Sequence, residues 1–312
     1  MPSVVTIGNF DGVHLGHRAL VDAARTIADD EGLPVRAMFF DPHPAAFFRP
    51  ENRPPLLTPL SRRKALLLGA GADEVDVRVF DESFAEQSAE EFATAILAGD
   101  AGAIAVVVGP DFRFGKDREG DLPTLKALGE RLGFRVHVVD PVEHDGEVVS
   151  STRVRARLAE GDAAGARALL GRYHDVVSEV VHGDHRGRTI GFPTANLGIA
   201  EKLALPMDGV YAVVAAIDGA QVPAVANIGV RPTFDAGRSV EVHLLDWEGD
   251  LYGRQLPVAF IARIRGEVKF DGIDALVAQI GRDVADARGR LAHVLASDAS
   301  AVLPDLSAGE PS

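Results

Sequence analysis

The stretch VVTIGNFDGVHLGH, residues 4–17, decides the fold of the first half of the chain. It begins with four residues of strand type, and residues 18–28, which follow it, have the pattern of a helix. Between strand and helix lie three glycines and two histidines, His14 and His17. A helix N-terminus presents unpaired backbone N–H groups, and glycines let the backbone approach an anion closely. The segment therefore predicts a strand–loop–helix unit with a candidate phosphate site.

The alternation of strand and helix continues through the first half of the chain. Four further strand-like runs span residues 35–40, 75–80, 103–109 and 134–139. Three further helical patterns span residues 62–68, 88–97 and 122–132. Strands that alternate with helices predict an α/β fold, in which a parallel sheet is covered on both faces. Such sheets bind ligands at the carboxyl ends of their strands, where the loop with the two histidines lies.

The pattern changes after about residue 171, where strands follow one another without room for crossover helices. These strand-like runs span residues 176–182, 209–217, 222–227, 239–245 and 255–263. They predict a small antiparallel β-barrel, and one amphipathic helix over residues 273–295 follows it. We therefore expect three parts: an α/β domain, a barrel domain and a disordered tail. Their expected bounds are residues 1–170, 171–296 and 297–312.

Composition excludes several classes of protein. The chain has 312 residues and a net charge of −14, which disfavours a nucleic-acid or anionic-membrane binder because phosphate backbones recruit basic surfaces. It has no cysteine, which excludes disulfides, thiolate catalysis and cysteine zinc sites. No apolar run approaches the roughly 20 residues of a membrane span, and the first ten residues lack the pattern of a signal peptide. We expect a cytoplasmic protein, and the sequence leaves self-association open.

The two histidines admit three interpretations. At positions i and i+3 they can share one face of the first helical turn. They could be a surface pair, two ligands of a zinc site, or donors to a polyphosphate. No third zinc ligand is evident nearby. The glycines of the loop match neither the G-x-G-x-x-G pattern nor the Walker A pattern.

Two other segments favour the phosphate interpretation. VSSTRVR, residues 149–155, brings three hydroxyls and two arginines to the start of another helix. GPDFRFGKDREGD, residues 109–121, follows a strand and carries Arg113, Lys116 and Arg118 between glycines. Hydroxyl, guanidinium and backbone N–H groups are the donors that hold phosphate oxygens. All three segments lie at carboxyl ends of strands, so we expect one polyphosphate site there.

The first half of the sequence resembles the adenylyltransferase half of the bacterial bifunctional riboflavin kinase/FAD synthetase family. The resemblance rests on four segments in this order: GNFDGVHLGH, FDPHP at residues 40–44, GPDFRFG and SSTRVR. It implies a nucleotidyltransferase-like domain in which His14 and His17 act at the ATP phosphates. It also implies that the nucleotide-binding residues are Gly8, Phe10, Asp11, His14, His17, Asp111, Ser151, Thr152 and Arg155. It places the flavin near Asp41, His43 and Pro44.

A second candidate site lies in GRTIGFPTANL, residues 187–197. Thr194 and Asn196 are two residues apart, so on an extended chain a hydroxyl and an amide oxygen can reach one Mg²⁺ ion. Taken alone, an ordinary turn is the simpler explanation. Glu241 alternates with apolar residues in VEVHLLD, residues 240–246. If Glu241 lies on the inner face of a barrel strand, burying its carboxylate costs free energy and suggests a functional role. A position on an exposed strand face is the commoner explanation of a single glutamate.

These segments, with GVYAV at residues 209–213 and ANIGVRPTF at 226–234, resemble the riboflavin kinase half of the same family. The resemblance implies that Thr194 and Asn196 bind Mg²⁺–ATP and that Glu241 activates the riboflavin 5′-hydroxyl. The implied activities convert riboflavin to FMN and FMN to FAD, with ATP as co-substrate and Mg²⁺ as cofactor. Two alternatives stay open: a riboflavin kinase with a degenerate N-terminal domain, and a flavin carrier without turnover.

Overall fold

The structure of the chain, a computed structural model, consists of two compact units, Met1–Ser150 and Ser151–Asp305. The residues that it describes are 1–183, 186–199, 202–230, 238–297 and 303. All but two residues of the expected tail, 297–312, lie outside the described residues. The helical residues between 151 and 170 belong to the second unit, whereas the expected domain boundary follows residue 170. That boundary between the two functional domains stays a prediction.

The first unit is built on a five-stranded parallel sheet, as the alternating pattern predicts. Its strands are β1 (Ser3–Ile7), β2 (Val35–Asp41), β3 (Glu74–Val79), β4 (Ala103–Val108) and β5 (Arg135–Val138). They lie in the order β3-β2-β1-β4-β5, and every neighbouring pair is parallel. The order reverses between β1 and β4, so the loops after these two strands diverge and leave a crevice at their carboxyl ends.

Six α-helices and a short hairpin accompany the sheet. The helices are α1 (Leu15–Glu31), α2 (Pro44–Phe48), α3 (Leu60–Gly69), α4 (Glu82–Ala85), α5 (Ala89–Glu91) and α6 (Leu122–Leu132). The hairpin consists of β6 (Glu143–His144) and β7 (Glu147–Val148). One face of β1 packs under α1 and α3, and the other packs under α6 and the helical segment after α5. This burial on both faces explains why the strand is apolar.

The helix predicted over residues 88–97 differs in kind from the expectation. The Ser88 side chain and Glu91 form a reciprocal capping box at its start. After α5 the chain continues as a π-helix over Phe92–Asp100, and the Ala101 N–H donates to the Ile96 carbonyl at 2.9 Å. The wider turn directs Phe92, Ala93, Ile96 and Leu97 into the core. Hydrophobic spacing alone does not separate this arrangement from an α-helix.

The second unit contains a closed six-stranded antiparallel barrel, which confirms the second fold prediction. Its strands are β8 (His174–Val181), β9 (Ala195–Leu197), β10 (Gly209–Ile217), β11 (Ala220–Val230), β12 (Arg238–Leu244) and β13 (Gln255–Arg265). They close in the order β10-β11-β12-β9-β8-β13. The unit also contains α7 (Ser151–Ala159), α8 (Ala163–Leu170), α9 (Arg186–Thr189) and α10 (Ile273–Ser297). The strand β9 is not predicted from the sequence, because three residues are too few to show a period of two.

The C-terminal helix α10 packs on the outside of the barrel. Ala287 and Leu291 are buried in a cluster with residues of β10, β11 and β13. The Arg265 guanidinium holds the helix by a two-pronged ion pair with Asp283, with Nε–Oδ1 at 3.0 Å and Nη2–Oδ2 at 2.7 Å. The Asp283 side chain is only 4% exposed. A second pair, Arg288 with Asp246, lies in solvent.

Asp283→Ala is expected to lower the free energy of unfolding of the second unit by about 3 kcal/mol, because it leaves a partly buried guanidinium unpaired. Arg288→Ala is the matched control and is expected to cost below about 1 kcal/mol, because its ion pair with Asp246 is exposed and alanine is a good helix former. The fluorescence of Trp247, the single tryptophan of the chain, reports unfolding of this unit in urea. Equal losses in the two variants would contradict the importance of the buried pair.

Candidate functional sites

The loop between β1 and α1 has an unusual backbone. Three of its residues have positive φ angles: Phe10 (52°), Gly12 (88°) and Val13 (40°). For phenylalanine and valine this left-handed conformation is strained, and it persists only where the surrounding contacts over-determine it. The Phe10 side chain is fully buried in the core, and the Val13 N–H donates to the Phe10 carbonyl at 3.1 Å. The loop is therefore held in one shape.

Asp11 anchors this loop from inside the unit. Its carboxylate is buried and accepts hydrogen bonds from the backbone N–H groups of Leu57 and Thr58, both at 3.0 Å. The Gly12 N–H donates in turn to Thr58 Oγ1 at 3.0 Å. The carboxylate thus points into the protein and fixes the loop. The predicted contact of Asp11 with a nucleotide stays a prediction.

Arg63 of α3 completes the anchor with a buried positive charge. Its Nη1 donates to the Asn9 carbonyl and its Nη2 to the Thr58 carbonyl, each at 3.2 Å. Its Nη2 lies 3.5 Å from Asp11 Oδ1, and its guanidinium stacks over the Phe39 ring at 5.0 Å. Arg63 is not among the predicted site residues, because nothing local in residues 60–69 connects it with the histidine loop.

His14 and His17 meet at the first turn of α1. His14 is the N-cap residue, and its Nδ1 accepts a hydrogen bond from the His17 backbone N–H at 3.3 Å. The two rings stack with centroids 3.6 Å apart, and the Phe10 ring meets the His17 ring edge-on at 5.3 Å. A Cβ at Gly16 would lie 3.2 Å from His14 Cε1, so glycine makes room for the capping ring. The structure thus brings the two predicted histidines together.

The electrostatics of this turn suit an incoming anion. Burial lowers the pKa of His17 well below its ordinary value, and the neighbouring His14 and Arg63 charges lower it further, so the imidazole is neutral near pH 7. Its Nδ1 is buried and has no hydrogen-bond partner among the residues that the structure describes. The N-terminus of α1 adds unpaired N–H groups and the positive end of the helix dipole. Negative charge placed here would raise the pKa of His17 and favour its protonation.

A cavity of about 700 Å³ opens beside this loop, at the carboxyl ends of the strands. The same loop supplies part of its wall through Gly8 and Asn9. Phenylalanine is the commonest residue of the remaining wall, at seven positions: Phe40, Phe48, Phe80, Phe84, Phe92, Phe112 and Phe114. An apolar cleft of this size with a few polar groups suits a planar aromatic ligand.

The phenylalanine cluster is not among the features predicted from the sequence. Its signal was present, because eleven of the fifteen phenylalanines precede residue 135. Of the residues predicted to lie near the flavin, His43 and Pro44 line the cavity, whereas Asp41 lies outside the residues that line it. His43 also caps α2 through its side chain. Asp111, predicted to bind the nucleotide, is exposed and lines the same cavity.

The loop after β4, residues 109–121, is fastened to the segment before α5. Gly115 has a φ of 75°, and a Cβ there would lie 2.6 Å from the Ala89 nitrogen. The Lys116 N–H donates to the Gln87 carbonyl at 2.7 Å, and its ammonium pairs with a glutamate rather than pointing into the cavity. Two other basic residues of the loop, Arg113 and Arg118, line the cavity.

The remaining predicted phosphate ligands lie on α7. Ser151 is its first residue, and Thr152 and Arg155 follow within the first two turns. Ser151 and Arg155 are four residues apart, so they share one face of the helix. This helix belongs to the second compact unit. Its part in the phosphate site stays a prediction.

In the second unit Glu241 lies on the outer face of the barrel. Val240 and Val242, on either side of it in β12, are buried in the barrel core, so Glu241 points outward. Of the two placements that the sequence left open, the inner face is wrong, because side chains such as these valines fill the interior. Glu241 pairs in register with Asn196 of β9. Directly opposite residues have Cβ atoms about 5 Å apart, so the two side chains are neighbours.

Thr194 and Asn196 are presented beside Glu241 by specific contacts. His243, two residues after Glu241 on the same face, has its Nδ1 2.8 Å from the Pro193 carbonyl oxygen and so holds the segment before β9. A Cβ at Gly183 would lie 2.4 Å from Asn196 Nδ2, so only glycine lets the main chain pack on this amide. A hydroxyl, an amide and a carboxylate therefore gather at one edge of the barrel.

Comparison with known proteins agrees with this division into two sites. The FAD synthetase family model matches residues 1–153, and the riboflavin kinase family model matches residues 170–291. The bifunctional riboflavin kinase/FMN adenylyltransferase of Pseudomonas fluorescens is 44% identical over 287 residues, which cover 91% of this chain and 92% of that protein. This chain belongs to the bifunctional riboflavin kinase/FMN adenylyltransferase family. The family member from Bacillus subtilis is 37% identical over 292 residues and 91% of each chain.

One solved structure has the same fold over nearly the whole chain. It is described as a macrolide-efflux protein from Streptococcus pneumoniae and is 34% identical, with a TM-score of 0.83. The match covers 92% of this chain and 94% of that one, so the likeness extends over both units of this family member. Within the described residues, the helices are all too short or too polar to cross a bilayer.

Binding of a nucleoside triphosphate at the histidine turn is expected to take up a proton. His17 is neutral beforehand, and the phosphate charge raises its pKa. Uptake should be largest between the pKa values of His17 in the free and in the triphosphate-bound protein, and it should disappear as the pH rises above the latter. Calorimetric titration with a non-hydrolysable triphosphate, in buffers of different ionisation enthalpy, measures it. His17→Gln should remove the uptake and Glu241→Gln should leave it unchanged; uptake that persists in His17→Gln would refute the assignment.

Proposed function

We propose that the chain makes FAD from riboflavin in two steps, with one site for each step. The barrel site transfers the γ-phosphoryl group of ATP to riboflavin and gives FMN and ADP. The α/β site joins FMN to the adenylyl group of a second ATP and gives FAD and pyrophosphate. The observation that carries the proposal is that one chain holds both an anion site beside an aromatic cavity and a carboxylate beside oxygen ligands on a barrel. A degenerate N-terminal domain would have no reason to keep the strained, anchored histidine loop.

The adenylylation step needs alignment rather than a protein nucleophile. The FMN phosphate is ionised near neutral pH, and one of its oxygens attacks the α-phosphorus of ATP while the bond to the β-phosphate oxygen breaks. His14, His17 and the N–H groups at the start of α1 would bind the departing pyrophosphate, whose charge grows in the transition state. The protein supplies orientation and charge stabilisation.

The aromatic cavity gives the flavin its place in this step. An isoalloxazine ring is planar and apolar on its faces, so the phenylalanine wall suits it. Gly8 and Asn9 line the cavity, and the same loop leads to His14. A flavin whose ring fills the cavity therefore has its phosphate end near the histidine turn. His43 and Pro44 would contact the ring from the β2 side.

The kinase step relies on Glu241 as general base. Its carboxylate would accept the proton of the riboflavin 5′-hydroxyl as the oxygen attacks the γ-phosphorus. Thr194 and Asn196 fit a Mg²⁺ site, because hydroxyl and amide oxygens are hard ligands and Mg²⁺ takes few protein ligands beside phosphates and water. When bound, Mg²⁺ neutralises phosphate charge and orients the ATP.

The two activities are expected to separate by mutation. His14→Ala should lower FAD formation from supplied FMN at least about 100-fold, through loss of transition-state stabilisation, and should leave FMN formation from riboflavin nearly intact. Glu241→Gln should lower FMN formation about 100-fold or more and should spare FAD formation from FMN. Chromatographic separation of flavins over time measures both. Equal loss of both reactions in either folded variant would refute the assignment of two sites.

The metal requirement of the kinase step is expected to depend on Asn196. Asn196→Ala should raise the Mg²⁺ concentration for half-maximal FMN formation about tenfold, because one of few ligands is lost. The Mg²⁺ dependence of FAD formation from FMN serves as an internal control and should not move. A parallel shift in both reactions would place the metal effect outside the barrel site.

A further inference from the structure

A third polar side chain continues the row formed by Asn196 and Glu241. Asn227 of β11 pairs in register with Glu241 from one side, as Asn196 of β9 does from the other. Ala226 and Ile228 are buried in the barrel core, so Asn227 points outward on the same face as Glu241. The three side chains thus lie in line across three neighbouring strands, in steps of roughly 4.8 Å.

Asn227 has no evident structural task. It is exposed, and among the described residues its amide makes no hydrogen bond. Asn196, in contrast, is buried and packs against Gly183. Asparagine is disfavoured within strands, where β-branched and aromatic residues fit the pleated surface better. Asn227 is unfavourable for strand stability, exposed to solvent and adjacent to the proposed general base, so it is suited to contact a ligand.

On the carboxyl-terminal side of Asn227, the outer surface of β11 is polar and has no bulky side chain. The next outward residue on β11 is Gly229, which has no side chain. A Cβ at this glycine would lie 2.5 Å from Glu267 Oε1 and 3.7 Å from Asn227 Nδ2, so an amide and a carboxylate border the glycine. Hydrogen-bonding groups therefore line this side of Glu241. Such a lining suits a ligand segment that carries hydroxyls.

The order of Asn196, Glu241 and Asn227 across the strands indicates where each substrate of the kinase step would lie. If Thr194 and Asn196 hold Mg²⁺–ATP, the phosphoryl donor lies on the β9 side of Glu241. An in-line transfer places the attacking hydroxyl opposite the leaving group. The rest of the acceptor then extends from Glu241 onto β11, towards Asn227 and Gly229. In riboflavin this part is the ribityl chain, whose other hydroxyls follow the one that is phosphorylated.

We propose that Asn227 binds a ribityl hydroxyl of the acceptor and thereby selects polyol substrates for the barrel site. The amide both donates and accepts hydrogen bonds, as a hydroxyl does, so one side chain can satisfy the group in both directions. Glu241 binds the reacting hydroxyl, and Asn227, one strand further, binds a neighbour of it. This proposal rests on the proposed kinase function of the barrel.

Steady-state FMN formation tests the proposal, with riboflavin and its 3′-deoxy and 4′-deoxy analogues as acceptors. Asn227→Ala should raise KM for riboflavin about tenfold, as expected for one lost hydrogen bond, and should leave KM for ATP unchanged. Wild-type protein should use at least one deoxy analogue about tenfold less well than riboflavin. The Asn227→Ala variant should use riboflavin and that analogue equally well. The Asn227→Ser variant keeps a shorter donor and acceptor, so its discrimination between the two acceptors should lie between those of wild type and Asn227→Ala.

Gln255→Ala is the matched control. Gln255 is also an exposed amide opposite a glutamate, Glu179, on the outer face of the same barrel, and its loss should change neither KM. Trp247 fluorescence reports whether each variant keeps a folded barrel. The proposal would be overturned if Asn227→Ala still preferred riboflavin to the deoxy analogue as strongly as wild type does, or if only KM for ATP rose. A wild-type chain that forms no FMN from riboflavin would instead overturn the proposed kinase function on which it rests.

Discussion

The geometry of the first candidate site depends on one buried carboxylate. Asp11 lies inside the unit, where an unpaired charge would be costly, and it is compensated by backbone N–H groups of residues 57 and 58 and by the Arg63 guanidinium. This anchor holds the loop after β1 in a conformation that it would not adopt alone. The buried Phe10, the capping His14 ring and the stacked His17 ring all take their positions from it. Loss of the anchor would release backbone strain and disperse the site in one event.

The two proposed sites would each bind phosphate groups, but they are built from different secondary structure. In the α/β unit, a helix N-terminus supplies fixed dipoles, and the imidazoles of His14 and His17 would complete an anion site. In the barrel, the antiparallel register sets side chains from separate strands in a row, so Asn196 and Glu241 meet although they are far apart in sequence. Neither site requires a covalent intermediate on the protein. Both therefore depend on rigid placement more than on the reactivity of any one side chain.

Local patterns predicted most of the fold. The bounds of α6 and β10 were predicted to the residue, because α6 is a periodic segment, β10 is a continuous apolar run, and clear breaks flank both. The π-helix at Phe92–Asp100 and the short β9 were missed, because the former depends on tertiary packing and the latter is too brief to show a period. At the sites, the motifs pointed to the two histidines and to Glu241. They gave no indication of Arg63, and of the cavity they marked only His43 and Pro44 as flavin contacts, because most of its phenylalanines come from separate segments that meet only in the folded unit.

The order of strands also bears on how copies of the chain can associate. The closed barrel has no free strand edge, whereas the parallel sheet ends at β3 and β5. On β3, Glu74 pairs with Arg36, and Arg78 pairs with both Asp76 and Asp100. A strand from another molecule that docked on this edge would have to strip water from these charges, and charged edges of this kind resist intermolecular sheet growth. Aggregation by strand addition is therefore opposed at β3 by the same ion pairs that fasten the strand to its own unit.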